Sequence, residues 1–349
     1  MTFENFSLKN KIAPDILETV AQVEDRSNDA LESARLGFAF PVHEKIRSLG
    51  DKTVRAFEGT ELSRTELMRT MLTSVDRAWK EAIQPRIGGI RTEGIANESI
   101  KHGTDLFTEA DILSEELIRN SFVATFGEKS LRIFGEEAAK YSGNIESHAG
   151  IRIDPVDGTE SMKFGKPNWG IMAGVYEGTP EDEREVSGVV YMPERRSLIV
   201  YEEDAGVFVT DTETGEVQEI KPFGEQDKLG DIIINVWRHT EMKQRGKIYP
   251  IENALSKAGG RVKSVAGNCN DVLDALLTGG ARAMVIDGDY NEVDFICNRF
   301  LEKLGYSIYT WSGELVRADD ASLSNRQIII VPPGKAGEEI LNIVKQFAR

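Results

Sequence analysis

The chain has 349 residues, 40% hydrophobic and 29% charged, enough apolar material for two packed domains and no compositional sign of disorder. Its formal charge of -16 repels phosphate polyanions and anionic lipid, which argues against a nucleic-acid polymer or a membrane surface as partner. Two cysteines, Cys269 and Cys297, are too few for a disulfide framework. The opening residues lack the basic and apolar parts of a leader, and no run approaches the roughly 18 apolar residues of a membrane span. The expected setting is cytoplasmic.

From Ile12 to about Ile87, apolar residues recur at three-to-four spacing in IAPDILETVAQV and again in ELMRTMLTSVDRAWKEAI, which predicts helices. Residues 1–62 are expected to form a helical extension. The next helix lies near 64–84, with Ser63 or Thr65 as its cap. A second amphipathic helix in EADILSEELIRNSFVATF leads into strands at SLRIFGEE and GIRIDPVDGTE. The alternating stretches WGIMAGVYEG, EVSGVVYMP, RSLIVYEE and AGVFVTDTETGEV predict antiparallel strands with Gly, Pro and Asp at the turns. Residues 63–221 therefore read as an α+β domain. Beyond Lys221, strand and helix alternate from DIIINVW through ARAMVID to GEEILNIVKQFAR, which predicts an α/β domain over 222–349.

The sharpest local signal is Asp154-Pro155-Val156-Asp157-Gly158-Thr159 at the end of a predicted strand, preceded by Phe134-Gly135-Glu136-Glu137 at the end of another. Two strand ends can present three carboxylates to one point. Magnesium takes oxygen ligands from one or two carboxylates, water and substrate phosphate, so Asp and Glu are the suitable residue types. Pro155 keeps Asp154 extended and leaves its own carbonyl available. Gly158 allows close backbone approach, and the amides of Gly158 and Thr159 would hold a phosphate where a helix begins. The competing reading is a polar turn, since Asp, Pro and Gly all form turns.

The residues also resemble the inositol monophosphatase-like family of lithium-sensitive, magnesium-dependent phosphatases. Asp105 to Asp111 (DLFTEAD) is similar to its DLVTxxD segment, Gly135-Glu136-Glu137 to its GEE, and Asp154 to Thr159 to its DPxDGT. Asn291-Glu292-Val293-Asp294-Phe295 stands in place of its WDxAAG. The resemblance implies a layered αβαβα sandwich, here with the extra N-terminal helical extension. It implies two or three magnesium ions on Glu136, Asp154, the Val156 carbonyl, Asp157 and Asp294, with lithium as an inhibitor. Asp111 and Thr159 would orient the attacking water alongside Glu136, and Gly158 and Thr159 would bind phosphate. Asp287 falls where many members carry a Glu that bonds a substrate hydroxyl, and Asn268 is assigned with it to the substrate. The chain departs from the family at Thr159-Glu160-Ser161-Met162, at Val293, and at Phe295-Ile296-Cys297.

The expected activity is magnesium-dependent hydrolysis of a small phosphate monoester, a polyol phosphate such as inositol monophosphate or a sugar phosphate, with no phosphoenzyme. The alternatives are a 3'(2'),5'-bisphosphate nucleotidase or sugar bisphosphatase of the same family, and an inactive metal-binding interaction protein. A nucleotidase needs an aromatic platform, for which Trp169, Tyr191, Phe208, Trp237 and Trp311 are the candidates. The four His residues, His43, His102, His148 and His239, are scattered. A homodimer is expected from the prevalence of two-fold assemblies.

Overall fold

The computed structural model describes residues 42, 46, 52–92, 99–101, 105–137, 140–236, 241–266, 276–277, 280–287, 296, 299–317 and 327–348. Two short strands come first, β1 (Thr53–Arg55) and β2 (Glu61–Ser63), paired antiparallel with Thr53 opposite Ser63. Residues 52–62 of the expected helical extension thus belong to a hairpin, and the boundary drawn at 62/63 falls inside it. The cause is a period of two: Val54 and Leu62 are buried between more exposed neighbours, and Glu58 and Gly59 take positive φ to turn the chain. The helical segments expected between residues 12 and 47 lie outside the described residues, apart from Val42 and Ile46. Both are helical and are buried in one core with Val54, Ala56 and Leu62.

Helix α1 (Arg64–Arg77) starts at Ser63, whose hydroxyl accepts from the Glu66 N–H at 3.1 Å. A π-helical turn at Ala78–Ile83, α2 (Ile87–Thr92) and the hairpin β3 (Ser99–Lys101) and β4 (Asp105–Phe107) lead into α3 (Glu109–Phe126). The first large sheet contains β5 (Arg132–Gly135), β6 (Lys140–Gly143), β7 (Ala149–Asp157), β8 (Gly170–Thr179), β9 (Asp182–Met192), β10 (Ser197–Glu202), β11 (Gly206–Asp211) and β12 (Val217–Ile220). The short α4 (Thr159–Lys163) sits between β7 and β8. Strand order is β12-β11-β10-β9-β8-β7-β5-β6. Neighbours are antiparallel except β5 and β7, which run parallel.

The second sheet orders β13 (Asp231–Val236), β14 (Arg261–Ala266), β15 (Ala283–Asp287), β16 (Ser307–Thr310), β17 (Leu315–Val316) and β18 (Gln327–Val331) as β14-β13-β15-β18-β16-β17. β13 pairs parallel with β14 and β15, while the closing strands β18, β16 and β17 are antiparallel. Among the described residues its longer helices are α5 (Glu241–Lys257), α6 (Arg299–Lys303) and α7 (Lys335–Lys345). α5 carries Pro250 in its interior. Burial of Ile248, Ile251 and Leu255 against the sheet offsets the roughly 3 kcal/mol such a proline costs a helix.

Alternation along the strands sorts the buried side chains into layers. Leu67, Met71, Val75, Leu113 and Phe122 of α1 and α3 pack with Ile151, Ile153, Ala173 and Val189 on the outer face of the first sheet. Its inner face, through Met172, Val190 and Ile199, meets Phe300 and Leu301 of α6 and then Met284, Ile286 and Ile330 of the second sheet. The far face of that sheet, Ile234, Val285 and Ile329, packs under α5 and α7. The result is the αβαβα stack that the family resemblance implied.

Candidate active site

Because β5 and β7 are parallel, with Gly135 opposite Ile153, the chain leaves both strands at the same edge of the sheet. The Glu136 N–H donates to the Ile153 carbonyl at 3.1 Å, which sets Glu136 beside Asp154. Asp154 pairs with Met172 and Asp157 with Gly170, across a shift in register. Three steps along β7 therefore oppose two along β8. Residues three apart in a regular strand point to opposite faces, and the extra residue brings Asp154 and Asp157 to the same one. Pro155 suits this position because it has no N–H to offer the ladder. Met172 belongs to the core between the sheets, so both acids face that layer. They are 2% and 5% exposed, and Asp154 Oδ1 accepts from the Val156 N–H at 3.1 Å.

Asp111 reaches the same edge from the helix layer. As the third residue of α3 it forms a capping box with Thr108, accepting from the Thr108 N–H at 2.8 Å and the Thr108 hydroxyl at 2.6 Å. Its other oxygen lies 2.9 Å from Thr159 Oγ1, which is also 3.1 Å from the Val156 carbonyl. Complete burial pushes the Asp111 carboxyl up to about 6, against the lowering effect of bonds from Thr108 and Thr159 and with a further rise from the Glu136 charge. Gly158 is left-handed, with φ +87 and ψ 40, which turns the chain from β7 into α4 at little cost only for glycine.

The sign of this shift sets a pH prediction. A carboxyl raised from 3.8 to about 6 in the fold binds more protons there than when unfolded, so its contribution to stability is lost as pH rises through about 6. In metal-free protein the melting-temperature advantage of wild type over Asp111→Ala is therefore largest near pH 4 and levels off above about 6. A difference that does not change with pH in thermal melts counts against this electrostatic picture.

One residue outside the sequence expectations supports this edge. Glu115, one turn after Asp111 on α3 and 4% exposed, accepts from the Glu137 N–H through Oε2 at 2.7 Å. A Cβ on Gly135 would overlap that same carboxylate. The i, i+4 spacing from Asp111 was the available signal, but Glu115 reads equally well as a solvated helix acid until the strand that packs over it is known.

Asp287 ends β15 and is buried. Its Oδ1 accepts from Gln327 Nε2, and alternation places it with Ala283 and Val285, which pack toward the outer helices. Asn268 and Asp294 lie outside the described residues, as do Trp237, His43, His102, His239 and both cysteines. Trp169, Tyr191, Phe208 and Trp311 are all buried core residues, so none of these four offers a stacking face for a base.

The donors at the edge are all oxygens, the carboxylates of Glu136, Asp154 and Asp157 and the Val156 carbonyl, a set whose chemistry suits magnesium over softer ions. Among the described residues no three Asp, Glu, His or Cys side chains form a group that could hold a metal ion alone. Magnesium commonly completes its shell with water and phosphate.

The αβαβα stack is shared with solved structures. Extragenic suppressor protein suhB from Bartonella henselae superposes with a TM-score of 0.64 at 18% identity, covering 80% of this chain and 99% of that one. Inositol monophosphatase II from Staphylococcus aureus gives 0.59 at 18% identity, over 80% and 94%. The chain belongs to the inositol monophosphatase family, whose model matches residues 65–346. A histidinol-phosphatase of Chlorobaculum parvum is 39% identical over 104 residues, 29% of this chain, and the match spans 36% of that relative's length. No helix among the described residues is long and apolar enough to cross a membrane.

Proposed function

We propose that the protein is a magnesium-dependent phosphatase of small phosphate monoesters, acting on a polyol or sugar phosphate. The observation that carries the reading is the β7 bulge, which puts Asp154 and Asp157 on one face beside Glu136 and within one turn of the Asp111–Thr159 pair. Glu136, Asp154, the Val156 carbonyl and Asp157, with Asp294, would hold the ions. When bound, magnesium supplies a lowered pKa for water and charge to offset the phosphate.

The remaining work falls to the chain itself. The Thr159 hydroxyl has one hydrogen and two acceptors in reach, Asp111 Oδ1 and the Val156 carbonyl, which leaves its oxygen free to accept from a water. A proton leaving that water passes through Thr159 to Asp111, a base with a value near neutrality. Water oxygen bonds phosphorus as the ester P–O bond breaks, and the departing alkoxide takes a proton from solvent to give alcohol and inorganic phosphate, the proton on Asp111 returning to solvent to close the balance. The amides of Gly158 and Thr159 are the proposed phosphate contacts. Asn268 and Asp287 are proposed for substrate hydroxyls on motif position, with one Asp287 oxygen already committed to Gln327. The buried aromatics favour a polyol over a nucleotide, and the partial likeness to a histidinol-phosphatase makes histidinol phosphate the second substrate to try. The cytoplasmic setting and a homodimer belong to the same proposal.

The test is phosphate release from inositol 1-phosphate, sugar phosphates, histidinol phosphate and 3'-phosphoadenosine 5'-phosphate, with magnesium, with calcium, and with lithium added. Magnesium-dependent release from a monoester, slower with calcium and inhibited by lithium, is expected. No release from any substrate overturns the reading in favour of an inactive metal-binding protein.

A further inference from the structure

We propose that Glu115 is a positioning residue whose task is to aim Glu136 at the metal site. Glu136 is the first residue beyond β5, and its backbone is held on two sides. On one, its own N–H donates to the Ile153 carbonyl at 3.1 Å. On the other, the next N–H, that of Glu137, donates to Glu115 Oε2 at 2.7 Å. The peptide carrying Glu136 is thereby clamped between β7 and α3. Glu115 itself stands on a rigid support, one helical turn from Asp111, which is fixed by the capping box.

Gly135 makes the arrangement possible. By alternation it lies on the outer face of the first sheet, where α3 packs, and a Cβ there would overlap the Glu115 carboxylate. A glycine at the last position of β5 thus opens the space through which a buried acid reaches a backbone amide. Burying a carboxylate one helical turn from Asp111 is unfavourable unless the charge is bonded, and the bond it makes is to the loop that carries a proposed ligand. Supporting contacts of this kind typically change metal affinity by about 10–100-fold when removed.

The inference rests on the reading of Glu136 as a metal ligand, and the experiment separates the two. Magnesium affinity is measured by calorimetry and by the rise in melting temperature on adding magnesium, for wild type, Glu115→Gln, Glu115→Ala and Gly135→Ala. Glu115→Gln keeps an oxygen that can accept from the Glu137 N–H and retains affinity within about threefold. Glu115→Ala and Gly135→Ala each weaken it by about 10–100-fold, with a matching rise in the magnesium needed for half-maximal turnover. A role confined to stability lowers the metal-free melting temperature and leaves the affinity unchanged, and that result overturns the positioning role. Wild type that binds no magnesium overturns the metal reading as well. Should Glu115→Ala fail to fold, Glu115→Asp, one methylene too short to reach the amide, replaces it with the same expected loss.

Discussion

Asp157→Asn lowers kcat/KM for phosphate release by a factor on the order of 10³ or more, with the melting temperature of the metal-free protein held or raised. The expected size follows from the role of a metal charge in offsetting phosphate, worth several kcal/mol, at about 1.4 kcal/mol per tenfold in rate. The substitution keeps the shape of a side chain that is 5% exposed while removing its charge and turning one acceptor oxygen into a donor. Asp157 shares its face with Asp154 through the β7 bulge and is one of several acids gathered at this edge. Neutralising it relieves repulsion in the metal-free state, so a loss of turnover cannot be assigned to unfolding. Steady-state kinetics at saturating magnesium together with thermal melts check both halves. Activity close to wild type would remove Asp157 from the site.

The second large effect concerns stability. Glu183→Ala lowers the unfolding free energy by about 3–5 kcal/mol, the usual cost of removing one partner from a buried ion pair, and the melting temperature by roughly 10 °C. Glu183 is bonded by both Arg132 and Arg152, which are 0% and 1% exposed. Arg152 also lies over the Tyr176 ring at 4.5 Å, and Arg132 bonds the Ser147 carbonyl. Removing the carboxylate leaves two guanidinium groups without their shared counter-ion in the middle of the sheet. The triad ties β5, β7 and β9 together, and Arg132 and Arg152 lie on β5 and β7, the two parallel strands that lead to Glu136 and carry Asp154. Chemical denaturation of wild type and variant measures the loss. A change below about 1 kcal/mol would mean that water or other acids replace Glu183 readily.

Much of the fold could be read in advance because the signals involved are local. Alternating apolar runs such as WGIMAGVYEG commit to strands and Ser63 to a helix start, whatever the rest of the chain does. The acids Asp111, Glu136, Asp154 and Asp157 could likewise be named from motif order. What could not be read is which residues stand opposite each other. The hairpin from Thr53 to Ser63 was taken for part of a helical arm, since three-residue strands carry too little pattern to compete with the helical periodicity on either side.

The amino-acid sequence by itself determined the order of most elements and the identities of the strand-end carboxylates, because periodicity and turn chemistry act over a few neighbouring residues, while the layered class followed from the resemblance of its motifs to a known family. Only the tertiary structure decided that Asp154 and Asp157 share a face, since that depends on the slip of β7 against β8. It alone decided that Glu115 reaches through the space above Gly135 to the Glu137 amide, and that Glu183 neutralises two arginines from other strands. Each of these is a pairing between residues far apart in the chain, set by strand register and layer packing, and no local pattern of residues records it.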